Sequence, residues 1–359
     1  MSARDQLQEI IAASGPVGFD ELVNVSLYDP DHGWYSGGGR SGRRDGHFIT
    51  SPEVGPLFGR IVARWLDGCW NAAGRPGEYM VAEVGAGRGR LARSILAAQP
   101  QCAKALHYLM VEQSEAQRAE HGEVIAAGRP GQVRSVAELP EAGPTTRINV
   151  VLANELLDNL PFLVARYDPS QVEGDGWAEL RIDLDGDGEL TEVLAPLTTT
   201  RAELTLLKRV AASRESSVID VPLARAARSW VEVMRDRADH LLVFDYGEPT
   251  AVLADRPERG WLRTYRSNGR GSGPLRDLGH QDITIDVPVD QLPPPRSSFR
   301  QKSWLERQGL RTELRMAERE LANNPGMANL AAIRAQSASI EAAALTDLAG
   351  LGNFIVAEW

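Results

Sequence analysis

From Val81 to Leu96 the chain reads VAEVGAGRGRLARSIL: an apolar run carrying one acid, three glycines in five residues, then a helix-forming segment. A buried strand that turns sharply into a helix has this pattern. Glycine adopts backbone conformations closed to other residues and lets the main chain come close to a ligand. The helix that follows presents free N–H groups in its first turn, suited to a pyrophosphate or a carboxylate. The spacing is Gly85, Gly87, Gly89 with Arg at position 90, so the dinucleotide pattern G-x-G-x-x-G is absent.

Outward from this turn, strands and helices alternate. Tyr79–Val84 reads as a strand, Arg90–Ala98 as a helix and Leu106–Val111 as a strand ending at Glu112. Gln117–Ala127 reads as a helix, and Asn149–Ala153 and His240–Phe244 as strands. The alternation predicts an α/β fold with a mostly parallel, doubly wound sheet and helices on both faces. Ligands of such sheets bind beyond the carboxyl ends of the strands, where the strand order reverses.

Upstream, Gln6–Ala13 and Phe19–Tyr28 read as short helices split by Gly15-Pro16. Asp29–Val54 is rich in Gly and Arg and long for an idle connection, which predicts a lid, a binding loop or disorder. Pro56–Trp70 has apolar residues at helical spacing. Between Asp158 and His240 lie about eighty residues, against about thirty for a crossover unit, so an α+β subdomain is inserted there. In it WAELRIDLDGDGELTEVL (Trp177–Leu194) alternates around an Asp-Gly turn as a hairpin, and Arg201–Arg214 and Ala224–Arg237 read as helices. Asp183, Asp185, Asp187 and Gly188 imitate the start of a calcium loop, but Leu194 occupies the position of its bidentate Glu, and a hairpin turn is the simpler reading. The expected division is 1–75 (N-terminal helices and a cover loop), 76–160 with 239–359 (the ligand-binding sheet) and 161–238 (a substrate-side insert).

The 359 residues are 43% hydrophobic and 25% charged, ordinary for a globular protein, with a formal net charge of -10. That balance argues against wide, charge-driven adhesion to nucleic acid or anionic lipid. Cys69 and Cys102 form no Cys-x-x-Cys pair and read as small apolar residues. The six histidines follow no metal-ligand spacing, so no metal is expected. No signal peptide and no membrane-length apolar run are visible, which leads to a cytoplasmic expectation.

Glu83, two residues before the first glycine, suits a cationic ligand group. Glu112, at the end of the next strand, suits a bidentate hydrogen bond to ribose hydroxyls. Acid, three glycines and a second acid together suggest S-adenosylmethionine, with a glycine-rich turn of a generic nucleotide fold as the alternative.

The chain also resembles the MidA-like methyltransferases, the group that includes the mitochondrial complex I assembly factor methylating an arginine of a complex I subunit. The matching stretches are LYDPDHGWYS from Leu27, RDGHFITSPEV from Arg44, EVGAGRGRLARSIL from Glu83 and LANELLDNLPF from Leu152. They continue with FDYGEP from Phe244, TYRSNGRGSGPL from Thr264, DITIDV from Asp282 and LGNFIVAEW from Leu351. Ala86 and Arg90 stand where the family has Pro and Thr.

The resemblance implies a Rossmann-like class I methyltransferase sheet using S-adenosyl-L-methionine. It implies that Glu83, Gly85, Gly87 and Gly89 line the methionine moiety, that Glu112 holds the ribose, and that Thr50, Ser51 and Glu53 belong to a cover over the site. By their own chemistry those three residues supply polar contacts to the cofactor or only a helix cap. Asn154 and Glu155 follow the strand NVVLA, where such enzymes meet their substrate, and Asn154 is counted with the cofactor contacts. For an arginine acceptor a carboxylate can pair bidentately with the guanidinium and aim one nitrogen at the methyl group. Glu155 is the first candidate and Asp158 the second, on one face if the chain turns helically after the strand; Asp158 could instead cap a helix or pair with a surface Arg.

Asp245 and Tyr246 follow the next strand and face the crevice or cap it. Arg266, with Arg263 and Arg270, forms a basic loop that steers an acidic partner or is merely solvated. His32, His47 and His280 lie in the resembling stretches and line the cleft or serve structure. The implied partner is a protein substrate, without nucleic acid or membrane, and a homodimer is compatible with the sequence. Two other classes stay open: a nucleotide-dependent enzyme on a related sheet, and a methyltransferase fold acting as an assembly chaperone.

Overall fold

Seven strands make the sheet that carries the glycine turn: β1 (Tyr79–Val84), β2 (Leu106–Val111), β3 (Val133–Val136), β4 (Ile148–Asn154), β5 (Ala238–Asp245), β6 (Ser297–Arg300) and β7 (Ile355–Glu358). Their order is β6-β7-β5-β4-β1-β2-β3. The five strands from β5 to β3 are parallel, and β7 joins antiparallel to both β5 and β6. The chain runs outward from β1 through β2 to β3, then returns to the other side of β1 with β4, so the order reverses between β1 and β4. A crevice opens at such a reversal, beyond the carboxyl ends of the strands.

The computed structural model describes residues 1–37, 50–141, 147–170, 176–212, 214, 217–266, 269–323 and 328–359. Residues 38–49 of the predicted cover loop, with His47, and Asn268 of the basic segment lie outside the described residues. The chain divides into two compact units. The first comprises Met1–Arg40, Leu157–Val233 and Tyr246–Pro294; the second, which holds the seven-stranded sheet, comprises Ser41–Leu156, Met234–Asp245 and Pro295–Trp359.

In the second unit the central strands are apolar on both faces, as parallel strands covered by helices must be. The helix Pro56–Ala72 turns Leu57, Phe58, Ile61, Val62, Trp65 and Leu66 into the core with Tyr79, Val81, Leu91 and Ile95. It lies so close to the helix Arg90–Ala97 that a Cβ on Gly59 would fall 2.3 Å from Cβ of Ser94. Phe244 of β5 meets Phe58 and Trp304 edge-on, both ring pairs 5.0 Å apart. Cys102 belongs to this core, and burial pushes both thiols up to about 12, in keeping with the apolar reading of the two cysteines.

The first unit is built on an antiparallel sheet ordered Val17–Gly18, Trp177–Leu184, Leu163–Tyr167, Ile219–Leu223, with Leu190–Pro196 also paired to Trp177–Leu184. The predicted hairpin at 177–194 is present. Asp185 Oδ1 caps its turn by accepting from the N–H groups of Asp187 and Glu189, both at 2.9 Å. The N-terminal helix Ala3–Ser14 packs Leu7 and Ile11 with Phe19, Phe162, Leu180 and Trp261.

Two strands of this unit's smaller sheet, Leu262–Arg266 and Asp282–Ile285, come from the stretch assigned by sequence to the ligand-binding sheet. The units therefore divide the chain differently from 1–75, 76–160 with 239–359, and 161–238: residues 1–40 and 246–294 group with the insert. The physical reason is strand pairing over long separations, such as Val17 with Ile182, which local periodicity does not encode.

Candidate active site

β1 ends at Val84, opposite Val111 of β2 and Ala153 of β4. The chain then leaves the sheet in a turn anchored on its neighbour, where the N–H groups of Gly85 and Ala86 both donate to the Val111 carbonyl, at 2.9 and 3.1 Å. Gly85, Gly87 and Gly89 have φ of +71°, +53° and +74°, in the left-handed region where an L side chain is strained. Every positive-φ position of this turn, Gly85, Gly87 and Gly89, is occupied by a glycine.

Glu112, the first residue beyond β2, is nearly buried, and its carboxylate is fixed by two backbone donors. The Gly87 N–H donates to Oε2 at 2.9 Å and the Ser114 N–H to Oε1 at 2.8 Å. Burial raises its pKa, and these N–H bonds work in the opposite direction. A carboxylate has about four lone-pair sites, so two bonded N–H groups leave one acceptor position on each oxygen for a diol.

Glu83 is 4% exposed and turned into the sheet, where the Tyr108 hydroxyl donates to Oε2 at 2.7 Å. Burial pushes its carboxyl up to about 8. Burial favours the neutral form of this acid, and the hydrogen bonds from Tyr108 and the Ala92 N–H work in the opposite direction.

Beyond β4 stand Asn154 and Glu155. The Glu155 N–H donates to the Phe244 carbonyl of β5 at 2.8 Å, and the Asn154 amide donates to Glu155 Oε1 at 3.1 Å. Asn154 Oδ1 is a buried acceptor without a partner among the described residues. Glu155 has φ of +51°, a conformation that a non-glycine residue rarely holds. This corrects the expected helical face shared by Glu155 and Asp158: a left-handed residue interrupts the right-handed turn, and Asp158 belongs to a separate 3-10 turn, Leu157–Asn159, of the first unit. Asp245 ends β5 and is buried.

In the segment that leads to Pro56–Ala72, Thr50, Ser51 and Glu53 open the short helix Ser51–Val54. Glu53 accepts from the Thr50 N–H at 3.5 Å and pairs with Arg90 at 3.4 Å, and the Ser51 hydroxyl donates to Gln301 at 3.0 Å. The helix-cap half of the sequence reading is visible here. Arg90, placed where the resembling family has Thr, ties this segment to the helix after the glycines.

In the first unit, Tyr246 donates its hydroxyl to Asp158, whose burial pushes it up to about 6. Asn159 donates to Asp282 at 2.9 Å, and burial, with the charge of Asp158 nearby, pushes Asp282 up to about 7. Arg263 stacks over the Tyr246 ring at 4.9 Å and pairs with Asp286. Arg266 pairs with Asp277 at the surface, 3.1 Å away. His280 is exposed, and His32 is half-buried in the turn after Tyr28. No group of three or more metal-ligating side chains exists among the described residues.

Sequence reasoning passed over Asp282 and His121. His121 is fully buried, with Nε2 2.7 Å from the Gly87 carbonyl oxygen and Nδ1 2.8 Å from the Ser135 hydroxyl. The signal available for Asp282 was its place in a matching stretch. For His121 there was none, because its partners are distant in the chain.

The arrangement beyond β1, β2 and β4 fits S-adenosylmethionine on three observations: a left-handed glycine turn without Cβ atoms, a preset carboxylate with acceptor positions left, and the orphan Asn154 oxygen, which needs a donor such as an ammonium group.

Comparisons with known proteins agree. A family model described as "Putative S-adenosyl-L-methionine-dependent methyltransferase" matches residues 61–301. The chain is 25% identical over 314 residues to the mitochondrial protein arginine methyltransferase NDUFAF7 homolog of Drosophila melanogaster, an alignment covering 80% of this chain and 68% of the fly protein. It is 29% identical over 218 residues to the mitochondrial protein arginine methyltransferase NDUFAF7 of Mus musculus, covering 53% of this chain and 48% of the mouse protein. That match spans about half the length of the mammalian relative. A superfamily member from Burkholderia thailandensis, whose crystal structure was solved bound to S-adenosyl-homocysteine, aligns over 99% of this chain and 91% of its own, with a TM-score of 0.79 and 25% identity. Among the described residues no helix is long and apolar enough to cross a membrane.

Proposed function

We propose that this chain, which belongs to the S-adenosyl-L-methionine-dependent methyltransferase family, methylates an arginine side chain of a protein substrate. Its cofactor is S-adenosyl-L-methionine. The observation that carries the reading is the strand-end series of Gly87, Glu112 and Glu155: the Gly87 and Ser114 N–H groups donate to the Glu112 carboxylate, and the Glu155 N–H donates to the Phe244 carbonyl. The arginine specificity is supported by the names of the relatives and by the acids beyond the strand ends.

In this reading Gly85, Gly87 and Gly89 admit the methionine part of the cofactor, with Glu83 beneath them and Asn154 accepting from its amino group. Glu112 accepts from the two ribose hydroxyls. Thr50, Ser51 and Glu53 hold the covering segment in place through the Glu53–Arg90 pair. When bound, the cofactor supplies a methyl group on a positively charged sulfur. Glu155 pairs with the guanidinium and orients one nitrogen; as that nitrogen takes the methyl, the C–S bond would break to leave neutral S-adenosyl-homocysteine and the nitrogen's proton would pass to solvent, so the substrate's charge is unchanged. Asp158, with its Tyr246 hydrogen bond, is the second candidate carboxylate, and Asp245 and Arg266 are assigned to the substrate side.

The test is incorporation of labelled methyl groups into a cell lysate by the purified protein, followed by acid hydrolysis and amino-acid analysis. Label in methylarginines is the expected result. Label confined to another residue or to nucleic acid, or no transfer at all, would overturn the assignment.

A further inference from the structure

We propose that His121 is a positioning residue of the cofactor site, holding the glycine turn in its binding conformation by donating a hydrogen bond to the Gly87 carbonyl. The inference rests on the cofactor reading above and concerns a residue that neither the matched motifs nor the acid pattern single out.

The contact has one polarity. A carbonyl oxygen only accepts, so His121 Nε2, 2.7 Å from Gly87 O, carries the proton of that bond. In the neutral ring Nδ1 is then the acceptor, and the Ser135 hydroxyl at 2.8 Å is its donor. Ser135 lies on β3 opposite Met110 of β2, so the imidazole is braced from the sheet. The ring is fully buried and cannot exchange these partners for water.

Gly87 is consequently held at both of its polar groups by side chains that follow β2. Its N–H goes to Glu112 at 2.9 Å and its C=O to His121. A glycine at φ of +53° otherwise exchanges freely with negative φ, so two fixed bonds replace the rotamer and Cβ constraints it lacks. The same ring touches the third glycine of the motif: a Cβ on Gly89 would lie 3.4 Å from His121 Cδ2 and 3.0 Å from the Met110 sulfur. With Val124 Cγ2 at 3.3 Å from the same point, the Met110, Val124 and His121 side chains together occupy the space beside Gly89.

His121 also lies at a local irregularity of the chain. The segment read from sequence as one helix, Gln117–Ala127, is broken into Glu115–Arg118, a 3-10 turn Ala119–His121, and Gly122–Ala127. His121 ends the 3-10 turn, and the adjacent Glu120 pairs with Arg88 of the glycine turn.

The experiment compares wild type, His121→Ala, His121→Gln and Ser135→Ala by calorimetric titration with S-adenosyl-homocysteine, alongside thermal unfolding without ligand. Glutamine carries an N–H at a reach similar to Nε2 and can replace the bond, whereas alanine cannot. His121→Ala should bind about tenfold more weakly, the scale of one lost hydrogen bond that orders a binding loop. His121→Gln should recover most of that loss whatever its own melting temperature, and Ser135→Ala should fall between wild type and His121→Ala.

If His121→Ala fails to fold, the Gln and Ser135 variants decide: His121→Gln as weak as an unclamped loop, with Ser135→Ala equal to wild type, overturns the inference. Unchanged affinity in a folded His121→Ala overturns it outright. Failure of the wild type itself to bind overturns the cofactor reading, and the clamp with it, which separates the two failures.

Discussion

Replacing Glu112 by Gln keeps the length and shape of the side chain and removes one of its two acceptor oxygens. In the wild type the oxygens receive Gly87 N–H at 2.9 Å and Ser114 N–H at 2.8 Å, one each. The amide can satisfy only one of these. Its NH2 group faces the other N–H, so that donor must turn away or stay unpaired. Losing a hydrogen bond to a charged acceptor costs about 1.5–3 kcal/mol. Removing a carboxylate whose burial already disfavours its charge returns part of this, so the free protein should lose only about 1 kcal/mol.

The ligand has no such compensation. A ribose diol meets one acceptor where it had two, with the Gly87 turn loosened as well, and affinity for S-adenosyl-homocysteine should fall by about 1–3 kcal/mol, or roughly 5- to 150-fold. Isothermal titration with melting curves on the same samples separates the two effects. Affinity within twofold of wild type in a folded Glu112→Gln would refute both the ribose role and the argument that the carboxylate's remaining acceptor positions matter.

Gly87→Val places a β-branched side chain at φ of +53°, so binding of S-adenosyl-homocysteine should vanish while the far-ultraviolet circular dichroism spectrum is retained; measurable affinity would count against the turn as the cofactor cradle. Glu155→Gln keeps one hydrogen-bonding oxygen and removes the charge, so cofactor affinity should stay level while methyl transfer drops by about 2–4 kcal/mol in kcat/KM, and undiminished transfer would remove Glu155 from the reaction. Glu83 has a folded pKa pushed up to about 8 from 4.5, so the stability it confers in neutral form is complete below pH 4.5 and is lost as pH rises toward 8. In ligand-free protein, Glu83→Gln should therefore gain in Tm relative to wild type between pH 5 and pH 8, and a constant difference in Tm would show that the carboxyl is ionised throughout.

The sequence carried the local part of this structure well. The predicted ends of the strands Tyr79–Val84 and Leu106–Val111 coincide with the observed ones, because a covered parallel strand is a short apolar run bounded by glycine or an acid. The same locality made the glycine turn and Glu112 readable as neighbours, since consecutive parallel strands usually lie side by side. What could not be read depends on partners far along the chain. His121 gains its importance from Gly87 and Ser135, and Asp282 from Asn159, none of which recurs at a telling interval. Nor does any periodicity announce that Val17 pairs with Ile182, which groups the first residues of the chain with the insert and not with a cover of their own. The left-handed Glu155 was hidden for another reason: propensity assigns that conformation to glycine or asparagine, so a glutamate holding it stands against the local rule.

The placement of β7 has a consequence for how the protein is made. Ile355–Glu358 lies between β5 and β6, and beyond it Leu241 and Trp359 exchange two backbone hydrogen bonds, at 3.2 and 3.0 Å. A ribosome delivers β1 to β5 long before this segment, so the nascent sheet waits with the outer edge of β5 unpaired while its glycine turn can already be in place. That edge, Leu241 to Phe244, is apolar and buried in the finished fold, and an exposed strand of this kind is a template for pairing with other chains. Chaperone dependence during synthesis should therefore concentrate in the interval before residue 355 emerges, and a chain stopped just ahead of Ile355 should aggregate although its glycine turn, Glu112 and Glu155 are all intact.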